Sequence, residues 1–302
     1  MPTKSTVQVD GRRLALSNLD KVLYPETGFT KGEVIDYYAR IAPVLLPHLA
    51  ARPISFKRFP DGVEGEGFFA KNAPRGTPAW VRTVRLPAPG SSMNRETVDY
   101  VVIEDLPTLI WAANLAALEL HVPQWTVGPR GAVRDADLLV LDLDPGAPAT
   151  IVECARVAVL LRDLLEADGL SAHPKTSGSK GMQVYAPVAA VSSKRTSDYA
   201  QQLAKRLERE HPDLVVSRMA KDLRPRKVLV DWSQNNAAKT TVAPYSLRAR
   251  AEQRVSTPIT WAEVEECRGP ADLSFTAGEV LDRVEKSGDL FEPLLADGPP
   301  LP

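Results

Sequence analysis

The sequence predicts an α+β protein with a central mixed or antiparallel sheet. Two observations carry this prediction. Between residues 138 and 231, strand and helix patterns follow one another in the order β-α-β-β-α-β, the split βαβ arrangement whose sheet leaves one face open for a site. A separate α/β pattern precedes this stretch, and the chain of 302 residues is long enough for one large domain or two small ones.

The N-terminal half begins with a predicted hairpin, because TVQVDGRRLAL alternates apolar residues on either side of Asp10 and Gly11. A helix follows in TKGEVIDYYARIAPVLL, where Thr30 and Glu33 form a capping box and apolar residues recur at helical spacing. The segments ISFKRF, WVRTVRL and TVDYVVI predict strands. LPTLIWAANLAALEL predicts a largely buried helix.

The second half of the chain has more regular patterns. We predict strands at 138–143, 171–176, 182–188 and 226–231, and helices at about 149–167 and 196–210. Two further helices, TWAEVEE and TAGEVLDRVEK, each begin with a Thr-x-x-Glu capping box.

Composition argues against several classes of protein. The segment MPTKSTVQVDGRR is polar, and no run approaches the ~18 apolar residues of a membrane span, so we expect a cytosolic protein without a membrane partner. The two cysteines, Cys154 and Cys267, form no CxxC pair and no Cys/His cluster with zinc-ligand spacing. We therefore expect neither a disulfide framework nor a structural zinc.

Charge is unevenly distributed along the chain, although its net value is only −1. Between Ser217 and Arg254, nine Lys or Arg residues stand against three acids, whereas ten acids stand against three bases from Val255 to the end. Because phosphate affinity follows the local potential, the basic stretch is a candidate nucleic-acid surface. A solvated charged face is the alternative.

A pair of carboxylates ends the strand LLVLDLDPG at 138–146. Positions two apart on a strand point to the same face, so Asp142 and Asp144 project together while Leu141 and Leu143 face the other way. Such a pair is able to bridge two divalent ions. The alternative is that the second Asp simply opens the Asp-Pro-Gly turn.

A second candidate is KTSGSKGMQVY, at 175–185 between two strands. Gly178 and Gly181 let backbone amides approach a ligand, Ser177 and Ser179 add hydroxyl donors, and Lys180 supplies a charge, which together suit a triphosphate. The segment is not a Walker A loop, because G-x-x-x-x-G-K-[ST] is absent. A flexible hairpin loop with an exposed lysine is the alternative.

A third candidate is RKVLVDWSQNNAAKTTVAPYSLRAR, in which Asp231 ends an apolar strand and Lys239 and Arg248 follow a polar turn. Asp231 suits the third carboxylate of a two-metal site. Alternatively, it caps the strand end or pairs with a nearby arginine.

Together these segments resemble a known family. LDLDPG, TSGSKGMQVY and LRPRKVLVDWSQNNAAKTTVAPYSLRAR, with ELHVPQW before them, closely resemble the polymerase domain of bacterial non-homologous end-joining ligase D, a branch of the archaeo-eukaryotic primase superfamily. The resemblance extends from NLDKVLYPETGFTKGEVIDYYARIAP to SGDLFEPLL. It implies a single domain with an archaeo-eukaryotic primase-like fold, divided into an N-terminal α/β part with DNA and 5′-phosphate contacts (1–130), an RRM-like catalytic core (131–255) and C-terminal helices (256–302).

The resemblance also implies roles for individual residues. Asp142, Asp144 and Asp231 match catalytic carboxylates that hold two Mn²⁺ or Mg²⁺ ions. The positions that match the nucleotide site are His121, Ser177, Lys180, Gly181, Gln183, Arg224, Lys239 and Arg248. The positions that match the DNA-binding surface are Lys57, Phe68 and Phe69, together with Lys21 and Lys31 in a pocket for the 5′-phosphate of a downstream strand.

Simpler interpretations stay open for some of these residues. A lone histidine such as His121 is commonly a hydrogen-bonded core residue. Phe68 and Phe69 fit a hydrophobic core, and Lys21 and Lys31 fit solvated lysines at helix ends.

The implied activity is template-dependent nucleotidyl transfer with a preference for ribonucleotides, which fills gaps and extends ends in double-strand break repair by non-homologous end joining. The implied partners are NTP or dNTP, DNA with gaps or ends that carry a 5′-phosphate, Ku and a separate ATP-dependent DNA ligase, in the bacterial cytoplasm at the nucleoid. One position departs from the family. The family usually has Gly-x-His after the lysine of this loop, whereas this chain has Gly181-Met182-Gln183. Glutamine donates a hydrogen bond but carries no positive charge.

Two other functions compete with this one. A haloacid dehalogenase-type phosphatase also ends a strand with D-x-D, but here Pro145 and Gly146 follow, and no later acidic pair stands at a strand end. A catalytically inactive DNA-end-binding module is the second alternative, for which Gln183 is the one hint. The starting Met and complete-looking end favour a stand-alone polymerase that works beside a separate ligase over an excised domain.

Overall fold

Two six-stranded sheets and two small hairpins form the framework of the protein in the computed structural model, which describes residues 4–87 and 96–302. The helices are α1 (Lys31–Leu49), α2 (Leu106–Asn114), α3 (Ile151–Ala167), α4 (Ser193–Glu210), α5 (Trp261–Glu266) and α6 (Ala277–Ser287). The strands are β1 (Lys4–Val9), β2 (Arg12–Ser17), β3 (Val22–Tyr24), β4 (Phe29–Thr30), β5 (Pro53–Arg58), β6 (Phe68–Ala70), β7 (Thr83–Pro87), β8 (Thr97–Val102), β9 (Ala117–Val122), β10 (Trp125–Val127), β11 (Val133–Pro145), β12 (His173–Thr176), β13 (Met182–Val191), β14 (Val215–Val216), β15 (Val228–Asp231) and β16 (Thr241–Val242).

The predicted N-terminal hairpin and helix are confirmed, and local chemistry explains both. β1 and β2 pair antiparallel around Asp10 and Gly11, which both have positive φ angles, as a tight two-residue turn requires. Helix α1 begins after Thr30, whose hydroxyl accepts from the Glu33 backbone N–H at 3.3 Å while the Glu33 carboxylate accepts from Thr30. The apolar face of α1 packs with α2 on the N-terminal sheet, whose strand order is β16-β9-β5-β8-β7 with β6 beside β5.

One predicted element is wrong. The segment 106–120 was expected to be a single buried helix, but α2 ends at Asn114 and β9 begins at Ala117. The chain turns at Ala116, which has a φ of 56°. A short apolar run such as ALEL at 117–120 suits a buried strand as well as a buried helix, and its place between β5 and β16 decides in favour of the strand.

The second sheet confirms the predicted β-α-β-β-α-β order and the α+β class. Its strand order is β12-β13-β11-β15-β14, with β10 beside β11; all pairs are antiparallel except β14 with β15. On one face, Leu139, Leu141 and Leu143 of β11 pack in a core with α3 and α4. The opposite face therefore carries Asp142 and Asp144.

The two sheets exchange strands along the chain. β10 lies in the stretch assigned to the N-terminal part (1–130) but pairs with β11. β16 lies in the stretch assigned to the catalytic core (131–255) but pairs with β9, and Tyr245, Leu247 and Val255 join the N-terminal core. The chain crosses back to the first sheet after β15, so the sequence division at these two boundaries does not follow the sheets.

The C-terminal residues pack on both halves. Helices α5 and α6 begin as predicted, and Thr260 and Glu263 form the capping box of α5. Beyond α6, Phe291 and Leu294 pack against Val140 and Tyr185 of the second sheet. Among the described residues, no helix combines the length and the apolar character needed to cross a membrane.

Candidate active site

Two neighbouring strands bring the predicted acidic residues together. Asp142 and Asp144 stand two residues apart on β11, and β15 places Asp231 directly opposite Asp142. One carboxylate oxygen from each lies within 4.8 Å of those of the other two. The three aspartates therefore form one cluster, as expected for a set of metal ligands.

The cluster carries negative charge that burial makes costly. Burial, and next the Asp144 charge, raise the pKa of Asp142 to about 7. The pKa of Asp144 is also raised, by loss of solvent in the cleft and by the Asp231 charge. A divalent cation would relieve this repulsion, and carboxylate oxygens are the ligands that Mg²⁺ and Mn²⁺ prefer. The donor set thus fits the implied ions.

Asp231 also acts as a strand-end cap, the alternative left open above. It precedes a short 3₁₀ helix at Trp232–Asn235, and its Oδ1 accepts from the Ser233 backbone N–H at 3.0 Å. Its Oδ2 accepts from Gln234 Nε2 at 2.8 Å. Because a carboxylate has several lone pairs, capping and metal binding are compatible.

A row of four polar side chains crosses the second sheet at the level of the cluster. Lys175 of β12 is opposite Gln183 of β13, Gln183 is opposite Asp142, and Asp142 is opposite Asp231. Lys175 is fully buried, and its Nζ donates to Ser256 Oγ at 2.6 Å. Burial lowers the pKa of Lys175 well below its usual value. In this row, the amide of Gln183 lies between the buried lysine and the carboxylates.

The predicted phosphate cradle is the loop that joins β12 to β13. Ser177 Oγ accepts from the Gly181 backbone N–H at 3.3 Å, and an arginine guanidinium, that of Arg248, donates to the Ser177 carbonyl. Gly178 has a φ of +64°, and a Cβ at Gly181 would overlap the carbonyl oxygen of Leu143. The loop therefore depends on glycine at both positions and packs directly on β11.

A polar cleft of ≈ 440 Å³ opens above the carboxylates. It brings together six of the eight predicted nucleotide-site residues with two of the predicted metal ligands. The lining residues are His121, Asp142, Asp144, Ser177, Ser179, Lys180, Gly181, Gln183, Gln234, Thr240, Thr241, Val242, Arg248 and Arg250.

Arg224 and Lys239 lie beside the carboxylates and not among the residues that line this cleft. Arg224 donates to the Met219 carbonyl at 2.5 Å, and its charge opposes the rise in the pKa of Asp144. Lys239 Nζ donates to Ser233 Oγ and lies 4.0 Å from Asp231 Oδ2. Both cations are therefore close enough to the acidic cluster to offset part of its charge.

A buried glutamate that the sequence analysis missed organises one wall of the cleft. Glu119 of β9 is 1% exposed, and its Oε2 lies 2.8 Å from His121 Nε2 and 3.3 Å from Arg248 Nε. Its Oε1 accepts from the Ala249 backbone N–H at 3.1 Å and lies 3.7 Å from Lys57 Nζ. One carboxylate thus connects a predicted DNA-binding lysine with two predicted nucleotide-binding side chains.

These contacts determine the charge states in the wall. Burial alone would raise the pKa of Glu119, but the hydrogen bond from His121 and the charges of Arg248 and Lys57 lower it to about 2. Burial lowers the pKa of His121 despite the glutamate. At neutral pH the histidine is therefore uncharged, with Nε2–H donating to Glu119 and Nδ1 available as an acceptor. His121 is both a hydrogen-bonded, largely buried histidine and a residue of the cleft.

Two exposed aromatic residues adjoin this wall. Phe68 and Phe69 of β6 are 45% and 57% exposed, so the interpretation of either as a core residue is wrong. The Phe69 ring contacts His121 edge-on, with centroids 5.4 Å apart, and the Phe68 ring lies 5.3 Å from the Arg58 guanidinium. Exposed rings beside cations suit stacking on nucleic-acid bases.

A separate basic cluster lies where α1 begins. Lys31 is buried and donates to the Ser17 carbonyl at 2.6 Å, so its interpretation as a solvated lysine is wrong. Burial, and then the charges of Lys21 and Arg58, lower the pKa of Lys31 to about 8. Lys21 is partly exposed and bonds Asp61 at 2.8 Å. Three cations thus repel one another near a helix N-terminus, an environment that an anion would stabilise.

Comparison with known proteins identifies the family. The model of the LigD primase-polymerase domain matches residues 30–291. The chain belongs to the LigD primase-polymerase family. It is therefore a polymerase of the nucleotidyltransferase class, and the comparisons support neither the phosphatase nor the inactive module.

Individual LigD relatives agree. The chain is 44% identical over 298 residues to the multifunctional non-homologous end joining protein LigD of Mycobacterium bovis, and 33% identical over 281 residues to the bifunctional LigD of Bacillus subtilis. It covers 38% and 44% of those proteins, which in turn match 95% and 92% of this chain. The solved polymerase domain of Mycobacterium tuberculosis ligase D in complex with DNA superposes with a TM-score of 0.88 at 45% identity, over 95% of this chain and 99% of that one. The archaeo-eukaryotic primase-like fold is therefore confirmed.

Some residues of this LigD-family cleft were not predicted as site residues. Glu119 interrupts the apolar run LAALEL at 115–120, and an acid within such a run is a signal by which it could have been found. Arg250 follows Arg248 at a spacing of two in SLRAR but was counted only as part of the basic stretch. Thr241 carries no signal of its own, because its place in the cleft depends on the pairing of β16 with β9. Gln234 reaches the cleft from the 3₁₀ helix that follows β15.

Proposed function

We propose that this chain is a template-dependent polymerase that prefers ribonucleotides, and that it fills gaps and extends 5′-phosphate-bearing ends during repair of DNA double-strand breaks by non-homologous end joining. The observation that carries the proposal is the three-aspartate cluster at the base of a cleft with basic walls, in a chain of the LigD primase-polymerase family. The solved mycobacterial relative in complex with DNA supports DNA as the partner.

Asp142, Asp144 and Asp231 would hold two divalent ions, Mn²⁺ or Mg²⁺. When bound, such ions supply the charge that activates a primer 3′-hydroxyl and stabilises the leaving pyrophosphate. The side chains of the protein add the positioning. Gln183 orients Asp142 through a hydrogen bond of 2.9 Å, and Arg224 and Lys239 offset negative charge around the other two carboxylates.

The nucleotide would occupy the cleft with its triphosphate toward the cradle loop. Lys180 and Arg250 are exposed there, and Arg248 is held against both Glu119 and the Ser177 carbonyl. These cations would hold the phosphate oxygens, with Arg248 as the pre-oriented donor. Neutral His121 presents Nδ1 as an acceptor, which suits a hydroxyl group better than a phosphate oxygen.

DNA would lie across β6 and the start of α1. Phe69 and Lys57 adjoin the nucleotide cleft through His121 and Glu119, whereas Phe68 faces Arg58 on the side of the Lys31 cluster. A template base stacked on either ring would lie between the nucleotide and the cluster of cations. The 5′-phosphate of the downstream strand would bind at Lys21 and Lys31.

The cellular setting is also part of the proposal. The relatives are named multifunctional or bifunctional end-joining proteins and are more than twice the length of the matched segment, which supports cooperation of this activity with other end-joining activities. The partners in the proposal are a DNA ligase and Ku. Such a substrate would place the protein in the bacterial cytoplasm at the nucleoid.

Primer extension on gapped DNA tests the proposal. The protein is expected to add labelled nucleotide, ribonucleotide in preference to deoxyribonucleotide, when Mn²⁺ or Mg²⁺ is present and to stop when EDTA removes the metal. Asp142→Asn and Asp231→Asn are expected to lose extension by at least a hundredfold while DNA binding persists, because the carboxylates hold the metal and not the DNA. Asp198→Asn removes an exposed acid that pairs with Lys194 on α4 and serves as the matched control.

Each outcome separates the possible functions. Near-normal extension by either cluster variant would refute the catalytic assignment. Binding of DNA ends without extension by the parent protein would revive the inactive module. Release of phosphate from a small phosphoester, without template, would revive the phosphatase.

A further inference from the structure

We infer that Gln183 is a positioning residue for the metal ligand Asp142, and that a directional relay of buried hydrogen bonds from the N-terminal sheet fixes its orientation. The inference rests on the proposed function, because it assigns Asp142 to a metal.

The relay consists of four hydrogen bonds. Gln124 Nε2 lies 3.2 Å from Thr241 Oγ1, and Thr241 Oγ1 lies 2.7 Å from the Tyr185 hydroxyl. The Tyr185 hydroxyl donates to Gln183 Oε1 at 3.4 Å. Gln183 Nε2 donates to Asp142 Oδ1 at 2.9 Å. The four residues that lead to Asp142 in this relay are each less than 5% exposed, and two of them, Gln183 and Thr241, also line the cleft.

The direction of every bond follows from the ends of the relay. The ionised carboxylate of Asp142 only accepts hydrogen bonds, so the group of Gln183 that faces it is the amide nitrogen. The amide oxygen then faces Tyr185 and must receive its single hydroxyl proton. Tyr185 therefore accepts from Thr241, whose proton is thereby used.

Thr241 in turn accepts from the amide nitrogen of Gln124. The four donors thus all point toward the metal ligand.

This direction excludes the flipped amide of Gln183. A flip would place Oε1 against the Asp142 carboxylate and the amide nitrogen against the Tyr185 hydroxyl, which would give two acceptors in contact at a buried position. With the amide fixed, its Nε2 restrains Asp142 Oδ1 at 2.9 Å.

The relay also joins the two sheets. Thr241 belongs to β16 of the N-terminal sheet, whereas Tyr185 and Gln183 belong to β13 of the catalytic sheet. Asp142 is therefore positioned relative to the wall that carries His121 and not only relative to its own strand. Groups that orient a metal ligand commonly contribute ten- to a hundredfold to metal affinity.

Tyr185→Phe tests the relay without touching the cleft. The substitution removes one hydroxyl and keeps the ring that packs against Phe291. We expect Mn²⁺ binding, measured by electron paramagnetic resonance on the full chain without nucleotide, to weaken by about tenfold. In the metal-free protein, we expect the two side-chain amide proton signals of Gln183, assigned by their absence in Gln183→Met, to shift and to exchange faster with water.

Tyr199→Phe is the matched control. This substitution on α4 also removes a tyrosine hydroxyl, which donates to Asp168 at 2.6 Å and is not part of the relay. Unchanged amide signals and an unchanged Mn²⁺ affinity in Tyr185→Phe would overturn the inference, as would an equal loss of affinity in Tyr199→Phe. If the parent protein neither binds Mn²⁺ nor extends primers, the proposed function fails instead, and the metal-free amide signals still decide whether the relay exists.

Discussion

Replacement of Glu119 by glutamine is expected to cost far more stability than a typical surface change. The pKa of this carboxyl group is about 2, against 4.5 for an unperturbed glutamate. Since one pKa unit corresponds to about 1.4 kcal/mol, its partners favour the charged form by about 3 kcal/mol. Glu119→Gln keeps the shape of the side chain but leaves Arg248 and Lys57 without their buried counter-charge. The expected loss of stability is similar to that seen when one partner of a buried ion pair is removed.

The pH dependence has a defined sign. The pKa of Glu119 is lower in the folded protein than in the unfolded chain, so its stabilisation is complete above about pH 4.5 and is lost as the pH falls toward 2. The difference in unfolding free energy between parent and Glu119→Gln is therefore expected to fall from about 3 kcal/mol at pH 7 to about 1.4 kcal/mol at pH 3.

Urea unfolding at pH 7 and pH 3, followed by circular dichroism, measures both differences. Glu104→Gln is the control, because it removes a partly exposed carboxylate that pairs with Arg82 and should cost less than about 1 kcal/mol. A loss at pH 7 no greater than that of the control, or a loss that is the same at both pH values, would refute the assignment of Glu119 as the electrostatic centre of this wall.

Three further predictions concern the DNA surface and the cradle loop. Because the pKa of Lys31 is about 8, the preference for gapped DNA with a 5′-phosphate over gapped DNA with a 5′-hydroxyl should be strong at pH 7. It should decline above pH 8, where the lysine loses its proton. Fluorescence anisotropy measures this preference, and a preference that grows with pH would contradict the pocket. Gly181→Ala should lower the melting temperature by several degrees, since its Cβ would overlap the carbonyl oxygen of Leu143, whereas Gly278→Ala, which meets no atom within 4 Å, should not. Phe69→Ala should weaken binding of gapped DNA by roughly five- to a hundredfold through lost stacking, and an unchanged dissociation constant would exclude a stacking role.

The elements with strong local signals were predictable from the sequence. Thr30 with Glu33 marks the start of α1, and Asp10 with Gly11 marks the first hairpin, because each depends on residues that are neighbours in the chain. The shared face of Asp142 and Asp144 was predictable for the same reason, since a two-residue spacing on a strand fixes it.

Features that depend on which strands become neighbours were not predictable in this way. The sequence predicts that LAALEL continues a helix, because its apolar run has no period that separates a buried helix from a buried strand. The importance of Glu119 depends on Arg248, more than a hundred residues later, and that of Tyr185 depends on the return of β16 to the first sheet. The family resemblance indicated the right segments, but the contacts among them required the fold.

The return of β16 to the N-terminal sheet also limits how this protein can be divided. A cut near residue 130 would leave β16 in the C-terminal fragment and its partner β9 in the N-terminal fragment. The same cut would separate β10 from its partner β11. Each fragment would then expose unpaired strand edges and part of the core around Tyr245 and Leu247. We therefore expect the two sheets to unfold in one cooperative step. Mild proteolysis should yield intact chain or small peptides, and co-expressed fragments should regain a cleft only when they reassemble.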